Sequence, residues 1–341
     1  MLRTVVGRAV LIAVVVMASF VGTAHGQVGQ TDTNQSAFGP IGTISAPHGA
    51  GIQLTNVQTG AEQAIAVMPP VGVAGHTAWS PDRSQIAISR FGRRPGERIG
   101  GSDILVVPAE GGEARVVAEH DVDGALLGAP AWLPDGSALL FDHLPPSGGA
   151  LQSQVMLAPV VGGGETRAIA TGGWPAVSPD GRLLAYVRST RQDGFLNELV
   201  LADFNGVSER VLVPADQLVQ ITSPRFSPDG SEIAYIGSVS RGEALGVPSR
   251  VDDALGSLGP GVFLKGVMNH GPPGDVWVIS RSGGQSSRLT WFEEDEPTLA
   301  WSPDGYWLAM LGGGGLYLLP RDTSAPPRMV AKGGFGGIDW R

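Results

Sequence analysis

The 341-residue sequence contains no cysteine. That excludes a disulfide framework, a thiolate metal site, a cysteine nucleophile and a lipid-modified N-terminal cysteine, and it leaves stability to packing. Charged residues make up only 16%, with a formal net charge of −9, or −11 without Arg3 and Arg8. Such an acidic balance argues against nucleic acid as a partner. No apolar run reaches the roughly 20 residues that span a bilayer. The run Ala9–Val21, with Arg3 and Arg8 beside it and Ala24-His25-Gly26 after it, predicts an export leader over residues 1–26, cleaved near Gln27; the alternative is an uncleaved anchor. The expected mature chain is extracytoplasmic and has no membrane span. A Gly-x-Ser-x-Gly nucleophile elbow is also missing, which argues against an attached α/β-hydrolase domain.

What the chain does contain is 51 Gly, 26 Pro and a turn written five times: AWSPDR from Ala78, AWLPDG from Ala131, AVSPDG from Ala176, RFSPDG from Arg225 and AWSPDG from Ala300. Ser can bond the following backbone, Pro presets the next φ, Asp tolerates the bridge conformation and Gly accepts the exit, so each copy predicts a tight turn between two strands, A and B. An apolar run follows every copy, such as Ile86-Ala87-Ile88 or Leu183-Leu184-Ala185-Tyr186. A second hairpin, strands C and D, comes later in each unit, and its last arm begins with a recurrent Arg: Arg115, Arg167, Arg210, Arg288 or Arg328.

The prolines of the five turns are spaced by 53, 45, 49 and 75 residues. Four-stranded propeller blades repeat at roughly 40 to 50 residues, with one unit here enlarged. An extra C–D hairpin lies near Ile52–Ala66, and Gly337-Ile338-Asp339-Trp340 reads as a lone A strand. The fold class is therefore all-β: a six-bladed β-propeller over residues 43–341 whose last blade is shared between the N- and C-termini, preceded by a polar linker at 27–42 and carrying a long loop insertion at about 238–274.

The WSPDG turn followed by its apolar strand resembles the WD40-like repeat of the TolB-type six-bladed propellers, and the resemblance runs from about Ile44 to Arg341. It implies the fold. Propellers of this kind serve as envelope binding proteins, as substrate-gating domains of proteases and as lyases, so the resemblance leaves the activity open. Gln27–Gly42 is too short for the additional N-terminal domain of TolB itself, and a role in the Tol system is not carried over.

Topology directs attention to the loops. The A–B and C–D turns share one face of the ring, and the B–C loops and D-to-A links share the other, where lengths vary most and binding is expected. On that face Arg93, Arg94 and Arg98, with Arg188 and Arg191, are candidates to hold a carboxylate or acidic peptide, and Phe263 of the insertion is a candidate apolar contact. Glu119, His120, Asp121 and Asp123 are the densest metal-type cluster, but they fit no zinc or calcium signature and read as a solvated loop; no cofactor is expected. Most Trp residues fall in A strands and read as packing between blades, while Trp174 and Trp291 lie nearer loops. Two functions follow: a non-catalytic module binding a protein, peptide or glycan through the loop face, or a hydrolase or lyase using His and carboxylates at the channel mouth.

Overall fold

Each Ser-Pro-Asp copy closes its hairpin with the same bonds. In the copy at Ser227, the hydroxyl donates to Asp229 Oδ1 at 2.6 Å and accepts from Glu232 N at 3.0 Å, while Ser231 N donates to Asp229 Oδ1 at 3.0 Å. The copies at Ser80, Ser178 and Ser302 repeat the hydroxyl bond at 2.6, 2.6 and 2.5 Å. These donors favour the charged carboxylate, and the Asp82 pKa falls to about 2, first through Ser80 and then through the Ser84 N–H. The turn then exits through a left-handed residue: Gly136, Gly181, Gly230 and Gly305 have φ of 71°, 71°, 70° and 75°. Glycine meets no Cβ clash there.

The computed structural model describes residues 39–341 apart from 71, 147–148, 162–163, 193, 205–207, 240–272 and 293. Six four-stranded antiparallel sheets hold nearly all of its strands. Strands A to D of blade 2 are Val73–Trp79, Gln85–Gly92, Gly101–Pro108 and Arg115–Ala118. Blade 3 comprises Leu126–Trp132, Ala138–Leu144, Gln154–Pro159 and Arg167–Thr171. Blade 4 comprises Gly173–Val177, Leu183–Arg188, Glu198–Asp203 and Glu209–Val213. Blade 5 comprises Gln220–Phe226, Glu232–Ser238, Asp275–Ser280 and Ser287–Arg288. Blade 6 comprises Thr298–Trp301, Trp307–Leu311, Gly315–Pro320 and Arg328–Lys332.

Alternation of side chains along each strand explains the core. Every blade packs a neighbour on each face, so both sets of residues are apolar. In blade 2, Ile86, Ile88, Leu105 and Val107 meet Ile52 and Leu54 of blade 1, whereas Ala87, Ile104 and Val106 meet Leu139 and Phe141 of blade 3. Indole rings of the A strands bridge the same interfaces: Trp132 Nε1 donates to Ala78 O and Trp301 Nε1 to Arg225 O, both at 3.1 Å. Packing between blades, as expected for these A-strand Trp residues, is what the structure shows.

Blade 1 is assembled from both ends of the chain. Its strands B, C and D are Thr43–His48, Gly51–Asn56 and Glu62–Ile65, and strand A is Asp339–Trp340, paired through Ile44↔Trp340 and Ser45↔Asp339. Trp340 is fully buried and its Nε1 donates to Ile41 O at 2.8 Å. Sequence analysis did not anticipate a small parallel pair, Val67–Met68 with Gly112–Glu113, which ties the blade 1-to-2 link to the C–D turn of blade 2. Among the described residues no helix is long and apolar enough to cross a membrane.

Replacing Trp340 with Ala is expected to cost about 3–5 kcal/mol, the usual range for truncating a buried Trp. Deleting Gly334–Arg341 should expose the Thr43–His48 edge and cause aggregation. Urea melts and light scattering check both; an unchanged melt for either variant would contradict the closure.

Candidate functional site

The loop face gathers the B–C loop of blade 2 and the link from blade 2 to blade 3 into one charged network. Its centre is His120, only 3% exposed. His120 Nδ1 lies 2.6 Å from Asp103 Oδ1 and Nε2 lies 2.8 Å from Glu97 Oε1. Arg94 donates to the same Asp103 oxygen at 2.7 Å and to His120 O at 3.1 Å. Gly101 makes room for the ring, since a Cβ there would sit 2.4 Å from His120 Cδ2. Asp123 accepts from the N–H groups of Arg98, Ile99 and Gly100 at 2.9, 2.9 and 2.7 Å and fixes the end of the loop. Glu119 is largely exposed, 3.7 Å from Arg94, and Asp121 lies 3.2 Å from His143 Nε2.

This geometry assigns the candidate residues different roles. Arg94 and His120 face Asp103 and Glu97 in a charge-balanced cluster, so the Arg94 guanidinium is already engaged. Arg93 and Arg98 are exposed on the same loop. Arg188 is taken up within blade 4, where Glu198 and Glu209 lie 2.9 and 2.6 Å away. Arg191 lies in the B–C loop of blade 4 and is exposed. Among the described residues, no group of three His, Asp or Glu is arranged to hold a metal ion. The leader, most of the linker, Phe263 and nearly all of the insertion fall outside the described residues.

A second sector of this face, on blades 5 and 6, is aromatic. Trp291 and Phe292 follow strand D of blade 5 and are 69% and 42% exposed; Phe335, in the link from blade 6 to blade 1, is 48% exposed. The Arg288 guanidinium carbon lies 5.7 Å from the centroids of both Trp277 and Trp291, within cation–π range. Phe292 packs against Tyr317 at 5.1 Å between centroids. The blade 6 B–C turn, Gly312-Gly313-Gly314, has no side chains to cover these rings, and Glu294 Oε2 accepts from Gly314 N at 3.0 Å. Sequence reasoning flagged Trp291 but missed Phe292 and Phe335. The signal available was the adjacent pair Trp291-Phe292 opposite an all-glycine turn.

Within the channel, strands A of blades 2 to 5 shift register at one equivalent position. Ala129, Trp174 and Ser223 there have φ of 44°, 54° and 54°. Left-handed backbone at non-glycine residues costs on the order of 1–3 kcal/mol each and marks functional positions more often than scaffold. His76 of blade 2 and Trp174 of blade 4 meet edge-on, 5.2 Å between centroids. Burial, then the field of Arg225, lowers the His76 pKa to about 4, so this ring is neutral at physiological pH. Asp142, whose Oδ2 lies 3.4 Å from Trp174 N, is pushed up by burial.

The fold is that of a TolB-type six-bladed β-propeller. Superposition on TolB from Acinetobacter baumannii gives a TM-score of 0.62 at 16% identity, covering 88% of this chain and 66% of that one. A putative TolB from Agrobacterium tumefaciens gives 0.54 at 15% identity, covering 77% and 87%. The tricorn protease gives 0.53 at 15% identity over 87% of this chain and 27% of that one. In sequence, 142 residues (39% of this chain) are 30% identical to an uncharacterized peptidase, YuxL, of Bacillus subtilis (strain 168); the match spans a fifth of that protein. No family model matches the chain.

The charged network has a pH signature. Burial disfavours the His120 imidazolium, but the bonds to Asp103 and Glu97 outweigh it and raise the pKa above 6.5. Its stabilising contribution is then fully present below pH 6.5 and lost as pH rises through the folded value. His120→Gln is expected to lower the melting temperature by roughly 2–4 °C at pH 6 and by less at pH 9. Thermal melts at the two pH values check this; an equal deficit at both would remove the imidazolium from the account.

Proposed function

We propose that this chain is an exported, non-catalytic binding module that recognises a protein, peptide or glycan through its B–C/D–A loop face. The observation that carries the reading is the exposed aromatic sector of blades 5 and 6, Trp291, Phe292 and Phe335. Exposed indole and phenyl rings beside a guanidinium are the usual anchors of protein and peptide recognition, and an indole face also stacks on a sugar. Arg93 and Arg98, exposed across the same face, would steer an acidic segment toward it, and such steering weakens with salt. The TolB-type fold supports an extracytoplasmic binding role, and the apolar leader supports export.

The 142-residue match to a peptidase favours the alternative, a hydrolase or lyase acting at the channel mouth. Against it, both ring nitrogens of His120 are already bonded to carboxylates, and the residue is buried.

Panning displayed random peptides and arrayed glycans on the parent protein tests the reading. Binders recovered in this way should lose at least about tenfold in affinity with Trp291→Ala combined with Phe292→Ala, while the variant stays folded and loses no more than about 2 kcal/mol of stability. Binders that hold the double variant as tightly as the parent would place recognition elsewhere, and cleavage of a recovered ligand on incubation would favour the catalytic alternative.

A further inference from the structure

The channel has a second mouth, on the face of the A–B turns, and it opens into a cavity of about 400 Å³. All six A strands contribute to its wall. Pro81, Pro134, Pro179, Pro228 and Pro303 ring it, and Trp79, Trp132, Phe226 and Trp301 line the gaps between blades. Arg83, Arg225 and Arg341 line this funnel together with Asp339, whose side chain is the one carboxylate side chain among the lining residues.

The three arginines are departures from the repeat that built the wall. The position before the turn aromatic or valine is alanine at Ala78, Ala131, Ala176 and Ala300, but arginine at Arg225 and aspartate at Asp339. Four copies of the turn end in glycine, and the fifth ends in Arg83, which holds the same left-handed backbone at φ 61°. Arg341 stands where the other A strands continue with Ser or Leu. Packing explains alanine and turn geometry explains glycine; neither accounts for arginine. At Arg83 the backbone is strained where glycine would be free of strain.

The side-chain charges do not balance here. Asp339 has both oxygens occupied, Oδ2 by Trp79 N at 2.8 Å and Oδ1 by Trp340 N at 2.9 Å, with Arg341 Nη1 3.8 Å from Oδ1. The Arg341 main-chain oxygen accepts from Thr43 N at 2.6 Å. Arg225 donates to Pro224 O at 2.8 Å. The turn aspartates, Asp82, Asp135, Asp180, Asp229 and Asp304, sit on the same face, but each is bonded to its own turn and none lines the cavity. Enclosure disfavours the Arg225 charge, an effect that Asp339 offsets and Arg341 deepens. An anion between these groups would relieve it.

We propose that this turn-face mouth binds an organic carboxylate carried on an apolar body, held by Arg83, Arg225 and Arg341. Guanidinium groups match carboxylate and phosphate alike, but the wall of prolines and indoles would strip water from a phosphate ion without replacing it, whereas it suits an alkyl or aromatic body. The volume is that of a small-ligand pocket. A free organic acid and the C-terminal carboxylate of a peptide present the same chemistry. The site lies on the face opposite the aromatic sector and stands independently of the function proposed above.

The test uses the full chain and follows tryptophan emission and binding heat, because three indoles line the cavity. N-acetyl-phenylalanine represents the free acid and a tetrapeptide ending in Phe with a free carboxylate represents the peptide end; the corresponding amides and inorganic phosphate are the controls. The expected result is saturable binding of one or both acids, none of the amides, and at least a ~10-fold loss in Arg225→Ala and in Arg83→Gly. These substitutions restore the residues of the repeat, and Arg83→Gly should melt no lower than the parent, which separates loss of binding from loss of fold. The acid that binds more tightly identifies the source of the carboxylate. The proposal is overturned by no saturable binding of either acid, by amides binding as tightly as acids, by both variants binding like the parent, or by phosphate displacing the acids at lower concentration.

Discussion

The ring depends on the pairing of Asp339 and Trp340 with Ile44 and Ser45. Every other blade is held by hairpins whose strands are neighbours in sequence, but blade 1 joins residues almost 300 positions apart. These two residue pairs, the reciprocal main-chain bonds between Thr43 and Arg341 and those joining Gly337 to Gly75 and Thr77 carry the closure, helped by burial of the Trp340 indole and by the reach of Asp339 to Trp79 N in blade 2. Without that joint, six interfaces become five and the B strand of blade 1 presents an open edge. With it, apolar side chains on both faces of every sheet find a partner.

Much of this was legible in the sequence because local and global signals agree. A Ser-Pro-Asp-Gly turn dictates its own hydrogen bonds whatever surrounds it, so the A–B hairpins, and through their spacing the blade count and the shared blade, followed from short segments. The bulges at Ala129, Trp174 and Ser223 were not legible, since nothing in a Gly-Ala-Pro or Gly-Trp-Pro string announces a left-handed residue in a strand. The pairing of charges on the loop face was hidden for a similar reason. Arg94 and Arg188 look like free cations in the sequence, and only the fold shows Asp103 and Glu198 brought beside them. The turn-face arginines were present in the repeat itself, as RFSPDG and AWSPDR, but a repeat read for what it shares conceals where it differs.

The two faces of the ring are built by different rules. On the turn face, geometry is imposed by the repeat, and variation is confined to a few side chains projecting into a fixed funnel. Loops of differing length form the opposite face, and there the surface depends on which rings a short turn leaves uncovered and which charges a neighbouring loop neutralises. A rigid closed ring permits both, because neither face has to contribute to the core.

Asp339 and Arg341 belong both to the joint that closes the ring and to the rim of the turn-face funnel. Occupancy of that funnel and integrity of the ring are consequently linked equilibria. Whatever binds there and not to the opened chain adds RT ln(1 + [L]/Kd) to the stability of closure, and any strain that loosens the joint disperses two of the charges the ligand would meet. In such an arrangement, a ligand at the funnel acts as a latch on the seam of the whole fold.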